Sequence, residues 1–229
     1  MENQAANSFN KENSTLKKKT FYHLVLDRSG SMSSCWEEAI QVIDKQLLDL
    51  RRIQIENPDS EIIFSLCAFN QALHFSEELM NAETSKIDWK TIFPYGMTAL
   101  YDAIGESIEF LKDKAGQSLE EKHSDVIILI LTDGLENSSN KHLGPEIKKM
   151  IEACEQTEKW NFLFLAAGLD VEQVTREFDR GRRNSLNFNK SMMASAVGMV
   201  SDELSNFVKS KNTGAKKKEF FKDGDDLAF

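Results

Sequence analysis

The chain has 229 residues, 41% hydrophobic and 28% charged, with a formal net charge of −9. That length buries one substantial core, and the composition is that of an ordinary globular protein, not a fibrous or low-complexity one. Residues 1–20 and 209–229 each carry a net +2, leaving −13 on the stretch between them, which argues against the clustered Lys and Arg surface that a nucleic-acid partner requires.

In chain order, residues 1–19 are polar, end in Lys17-Lys18-Lys19 and read as a disordered leader without the apolar stretch of a signal peptide. A first strand is predicted over 21–26. Trp36, Ile40, Ile43, Leu47 and Leu50 then recur at the three- and four-residue spacing of an amphipathic helix, which Asn57-Pro58-Asp59 ends. Ile62, Phe64, Leu66 and Ala68 alternate, and after Asn70-Gln71 a second extended run continues to Leu79. This pattern predicts a hairpin that places one antiparallel strand at a sheet edge.

A loop through Trp89 and Pro94 leads to a helix carrying Leu100, Ile104, Ile108 and Leu111. Residues 126–131 are apolar throughout, as in a parallel strand covered on both faces. A helix over 145–157, a strand over 160–167, a short helix over 170–178 and a last strand over 185–188 follow. A Met- and Ala-rich helix over 191–208 completes a single domain spanning 20–208. Residues 209–229 read as a flexible charged tail. Strands alternating with helices imply an α/β layer structure with mostly right-handed crossovers. No segment approaches the roughly eighteen apolar residues that span a bilayer. Cys35, Cys67 and Cys154 are odd in number and widely spaced, which predicts no disulfide framework and a cytoplasmic location.

The chemistry concentrates at three loops. The run Leu24-Val25-Leu26 stops at Asp27, and Ser29 and Ser31 follow at alternate positions. A carboxylate at the end of a buried strand needs a partner, and three oxygens on one loop suit Mg²⁺ or Mn²⁺. Thr98 stands at the head of the helix that begins near Leu100, and Asp133-Gly134 closes the 126–132 run. Taken singly, these residues have plainer roles: an Asx turn at Asp27, N-caps at the serines and Thr98, a tight turn at Asp133. If both apolar runs are neighbouring parallel strands, their carboxyl ends share the crevice where open α/β sheets bind ligands.

Asp27, Ser29, Ser31, Thr98 and Asp133 together resemble the metal-ion-dependent adhesion site of the von Willebrand factor type A family. Its pattern is Asp-x-Ser-x-Ser, a downstream Thr, and an Asp usually followed by Gly. The resemblance spans about residues 20–208. It implies a doubly wound, Rossmann-like fold: a mostly parallel six-stranded sheet with one antiparallel edge strand, helices on both faces, and the metal on the upper rim. It further implies that the five residues hold Mg²⁺ (or Mn²⁺) with one position open for an Asp or Glu carboxylate of a partner protein. The chain would then be a non-enzymatic interaction module, an adaptor or subunit of an intracellular complex.

Two other classes remain open on the sequence. A Mg²⁺-dependent hydrolase or phosphotransferase needs a base or nucleophile beside the metal. His23 falls inside the first strand, His74 in the hairpin, and His123 and His142 in expected surface segments; Asp102 and Glu136 are expected to decorate a helix turn or a solvated rim. A scaffold whose cation merely staples loops is the third class. Arg180, Arg182 and Arg183, around Gly181, read as a solvated turn.

Overall fold

A computed structural model describes residues 17–120, 124–168, 184–213 and 220–221. Strand β1 (Lys18–Asp27) is buried from Thr20 onward. It lies between two parallel neighbours, β2 (Ser60–Phe69) and β5 (Ser124–Thr132). Beyond β5 follow β6 (Trp160–Ala167) and β7 (Ser185–Phe188), also parallel. On its outer side β2 carries antiparallel β3 (Leu73–Phe75) and β4 (Met80–Asn81). The row therefore reads β3-β2-β1-β5-β6-β7, with β4 sharing the β2 edge.

Side chains alternate across β1, so Tyr22, Leu24 and Leu26 enter one apolar cluster and Phe21 and Val25 the other. The first cluster is closed by α1 (Trp36–Glu56) and α4 (Met193–Asn212), the second by α2 (Leu100–Glu120) and α3 (Gly144–Gln156). This is the doubly wound α/β arrangement that the family resemblance implies, with seven strands in place of six because the edge is split into β3 and β4. The helix expected over 170–178 and the arginines at 180, 182 and 183 lie outside the described residues, as does His123.

The edge departs from the single extended run expected to Leu79. Phe75 pairs with Cys67 and Met80 with Phe64, so four residues, 76–79, stand opposite two on β2. Ser76 still donates its N–H to the Leu66 carbonyl (2.8 Å) and accepts from the Leu66 N–H through its hydroxyl (3.1 Å). Glu77 and Glu78 are then turned out to solvent. A bulge bearing two exposed acids breaks the edge into pieces too short to pair with another chain.

The last helix continues to Asn212, four residues past the boundary expected at 208. Two residues of the stretch expected as tail, Phe220 and Phe221, are buried, and Phe220 stacks on Phe207 of α4 at 5.5 Å. No helix among the described residues is long and apolar enough to cross a membrane.

Candidate functional site

The strand order fixes where ligand groups can gather. From β1 the chain crosses to β2 on one side, whereas β5 lies on the other. The crevice between the diverging connections opens at the carboxyl ends of β1 and β5. Leu26 pairs with Leu131, which sets Asp27 beside Thr132, each the last residue of its strand.

Asp27 is fully buried. One carboxylate oxygen accepts the Ser29 N–H at 2.7 Å and the other the Thr132 hydroxyl at 2.6 Å. The Ser29 and Ser31 hydroxyls stand 3.1 Å apart, and Ser31 donates to Asp133 Oδ1 at 2.6 Å. Thr98 arrives from the loop ahead of α2. A Cβ built on Gly134 would stand 3.0 Å from Thr98 Oγ1 and 3.5 Å from Asp27 Oδ2. The bare Cα of Gly134 thus leaves an oxygen-lined space that any side chain there would fill. All five residues singled out in the sequence meet at this rim. Ser31 is exposed, while Ser29, Thr98 and Asp133 are buried.

Neighbouring residues hold the three loops in register. Gly30 donates its N–H to the Gly96 carbonyl (3.0 Å) and Tyr95 donates to that of Arg28 (2.9 Å), joining the first loop to the second. Gly96 has φ +78°, and a Cβ there would strike the Gln71 side chain, so this turn requires glycine. Thr98 and Asn137 exchange two hydrogen bonds, Thr98 N–H to Asn137 Oδ1 (2.8 Å) and Asn137 N–H to the Thr98 carbonyl (3.0 Å), joining the second loop to the third.

Asp102, in the first turn of α2, and Glu136 both tie the third loop to the start of that helix. Asp102 is buried and accepts the N–H groups of Asn140, Lys141 and His142. Glu136 accepts the Tyr101 N–H at 2.9 Å, satisfying an orphan donor at the start of α2, and also the N–H groups of Ser138 and Ser139. His142, expected at the surface, is buried against α2, where a Cβ on Gly105 would come within 2.5 Å of its ring.

Among the described residues, no three His, Cys, Asp or Glu side chains group as a metal site. Two carboxylates with three hydroxyls form instead the all-oxygen, weakly charged donor set that a hard divalent cation accepts.

No known protein-family profile and no curated protein sequence matches the chain. Solved structures do. The von Willebrand factor domain of the type V pilus tip protein Mfa5 from Porphyromonas gingivalis superposes with a TM-score of 0.60 at 9% identity, covering 89% of this chain and 98% of that one. The pilus adhesin SpaC from Lactobacillus rhamnosus GG gives 0.62 at 9% identity over 84% of this chain. Proximal thread matrix protein 1 of the mussel byssus, solved with a zinc-occupied metal-ion-dependent adhesion site, gives 0.56 at 15% identity over 81%. The chain has the von Willebrand factor type A fold. It spans 30% of the SpaC chain and 48% of the byssus protein.

Within this von Willebrand A fold, sequence reasoning missed Thr132, which donates to Asp27, and one charged group that touches the site. Lys190, in the turn between β7 and α4, donates its ammonium to Asp133 Oδ2, to the Ser31 carbonyl at 3.1 Å and to the Ser34 hydroxyl at 3.0 Å. Nothing local to Lys190 signals this, because the contact joins residues 57 apart in sequence. Cys35 lies close by but is buried, and burial pushes its thiol up from the ordinary value.

Proposed function

We propose that the chain is a metal-dependent protein-recognition module in which Asp27, Ser29, Ser31, Thr98 and Asp133 hold Mg²⁺ (or Mn²⁺). The observation that carries this reading is the convergence of two carboxylates and three hydroxyls at one rim, where the bare Cα of Gly134 leaves room beside Thr98 and Asp27. When bound, the cation supplies an electrophilic centre for an anionic oxygen from outside, an Asp or Glu carboxylate of a partner protein. Asp27, with both oxygens already in hydrogen bonds, would contribute mainly charge. Asp133 and the hydroxyls would hold the ion, and the Thr98–Asn137 exchange fixes the backbone that carries Thr98.

The rim beside the site suits a protein partner. Phe93, Tyr95 and Met97 are 57%, 42% and 54% exposed, and Phe93 stacks on Tyr95 at 5.3 Å. Arg28 sits over the outer ring, its guanidinium carbon 5.1 Å from the Tyr95 centroid. Exposed aromatics next to a charged anchor are the composition of a recognition surface. The acidic charge of the chain disfavours nucleic acid. Among the described residues, His23 is buried in mid-strand and His142 is buried against α2, which favours binding over catalysis by either imidazole. Three buried free thiols suit a reducing, cytoplasmic compartment and an adaptor role there.

Calorimetric titration of Mg²⁺ into the wild-type protein is expected to show one saturable site. Asp133→Ala should abolish the heat, and Gly134→Ala, which puts a methyl group into the oxygen-lined space, should weaken affinity about tenfold or more, equivalent to about 1.4 kcal/mol. A partner captured from lysate should be retained with Mg²⁺ and released by chelator. Equal Mg²⁺ heats from wild type and Asp133→Ala would end this reading. Metal-independent capture would leave only a scaffold, and phosphate-ester hydrolysis lost in Asp133→Ala would reassign the site to an enzyme.

A further inference from the structure

Given the metal reading above, on which this inference rests, we infer that Lys190 is a built-in competitor for the divalent cation: its ammonium neutralises Asp133 in the metal-free protein and leaves that carboxylate when the ion binds. The contacts are those of a tethered ion. The ammonium reaches a carboxylate oxygen, a backbone carbonyl and a hydroxyl, three oxygens supplied by two of the metal-site loops. With Ser31 on Oδ1 and Lys190 on Oδ2, the Asp133 side chain has no exposed surface, whereas that of Lys190 is 33% exposed.

The carboxylate is therefore sealed by a group that can itself swing into water. The backbone beneath the lysine is pinned. Phe188 and Met193 on either side are buried, and Asn189 accepts the Ser191 N–H to cap the turn Lys190–Met192. Release consequently needs only a change of side-chain rotamer, not movement of α4.

Electrostatics makes the two occupants exclusive. A Mg²⁺ ion takes its oxygens at about 2.1 Å, so an ion on Asp133 and an ammonium on the same carboxylate would stand within a few ångströms, in a place shielded from solvent. Like charges that close repel strongly. The lysine also lowers the cost of burying Asp133 beside Asp27 without metal, because it supplies a positive charge at the Asp133 carboxylate. Both effects act in one direction: they weaken the site's affinity, so it fills only where free divalent cation is abundant or where a partner carboxylate adds its own contribution.

The test compares Mg²⁺ titrations of the wild type, Lys190→Met and Lys190→Arg, using the full chain. Methionine keeps the apolar stem and removes the charge, so affinity should rise about tenfold or more; arginine keeps the charge and should not tighten binding. A second readout needs no variant. Acetylation of lysines followed by mass spectrometry should label Lys190 at least about twice as fast with saturating Mg²⁺ as with chelator, while exposed Lys45 stays constant. If the wild type and Lys190→Met bind with equal affinity, or if labelling of Lys190 does not change, the lysine is no competitor and the metal site stands without it. If none of the three proteins binds Mg²⁺, the metal reading itself fails and this inference goes with it.

Discussion

Asp27→Asn is expected to stabilise the metal-free protein by on the order of 1–3 kcal/mol at pH 7.5 while abolishing its response to Mg²⁺. Burial pushes the Asp27 carboxyl up to about 6; hydrogen bonds from Thr132 and Ser29 pull the other way, and the charge of Asp133 adds to the rise. A raised carboxyl means that the native state resists ionisation. The unfolded chain releases this proton near the ordinary 3.8, the native chain only near 6. The penalty is therefore absent below about pH 3.8, grows across that window, and is complete above it.

Asparagine removes the charge and keeps the shape. Its Oδ1 can still accept the Ser29 N–H. Its amide can donate to Thr132 Oγ1, whose own hydrogen then turns to the Gly134 carbonyl, already 3.0 Å away. No buried group is stranded, which is what makes such exchanges tolerable. Urea denaturation in chelator should show the variant more stable at pH 7.5 and level with wild type near pH 3.5. Adding Mg²⁺ should then stabilise only the wild type, by RT ln(1 + [Mg²⁺]/Kd). A variant that is less stable than wild type in chelator would mean that the Asp27 charge is already well compensated without metal.

Asp27, Ser29, Ser31, Thr98 and Asp133 stood out in the sequence because their order and spacing match one known pattern, although each taken singly has a plainer role in a turn or cap. The residues that lock the loops did not. Thr132 is the last residue of an apolar run, and its role depends on being level with Asp27 across the β1–β5 pair. Asn137 and Glu136 look like ordinary loop polar residues until Thr98 and the start of α2 are brought against them. Lys190 belongs to the same class. Local spacing reports periodicity and strand ends; it does not report which loop meets which.

Where the fold differs from expectation, the signal was present but weak. The alternation that carried the edge run stops at Glu77-Glu78, two adjacent charges that cannot both sit in a half-buried strand, and the bulge begins one residue earlier. His142 follows Asn140 and Lys141, polar neighbours that suggest solvent, yet Gly105 on α2 leaves the gap its ring occupies. Phe220-Phe221 is the only aromatic pair among the basic and acidic residues of 209–222, and it covers apolar surface beside Phe207 that α4 alone leaves open.

A second large effect is expected from pH, through a residue remote from the site. His23 is fully buried in mid-strand, its Nδ1 2.7 Å from the Ser65 hydroxyl, its ring 6.2 Å from that of Phe75 and 5.8 Å from that of Phe110. Burial pulls its pKa down to about 3 from the ordinary 6.5. The neutral ring is therefore favoured in the native state, whereas the unfolded chain takes up a proton as pH falls below about 6.5. Between those values the unfolded state binds more protons, so stability rises with pH and falls on acidification. The slope from this one group approaches 1.4 kcal/mol per pH unit, or about 2 kcal/mol between pH 7 and pH 5. His23→Leu has nearly the same volume and no titrating group. Whatever it loses at pH 7 by leaving Ser65 without its partner, its stability should decline less between pH 7 and pH 5 than that of wild type, by about 2 kcal/mol in urea denaturation. Parallel curves for the two proteins would mean that the ring accepts its proton in the folded state, which a mid-strand position between two apolar layers does not permit without opening the β1–β2 pair.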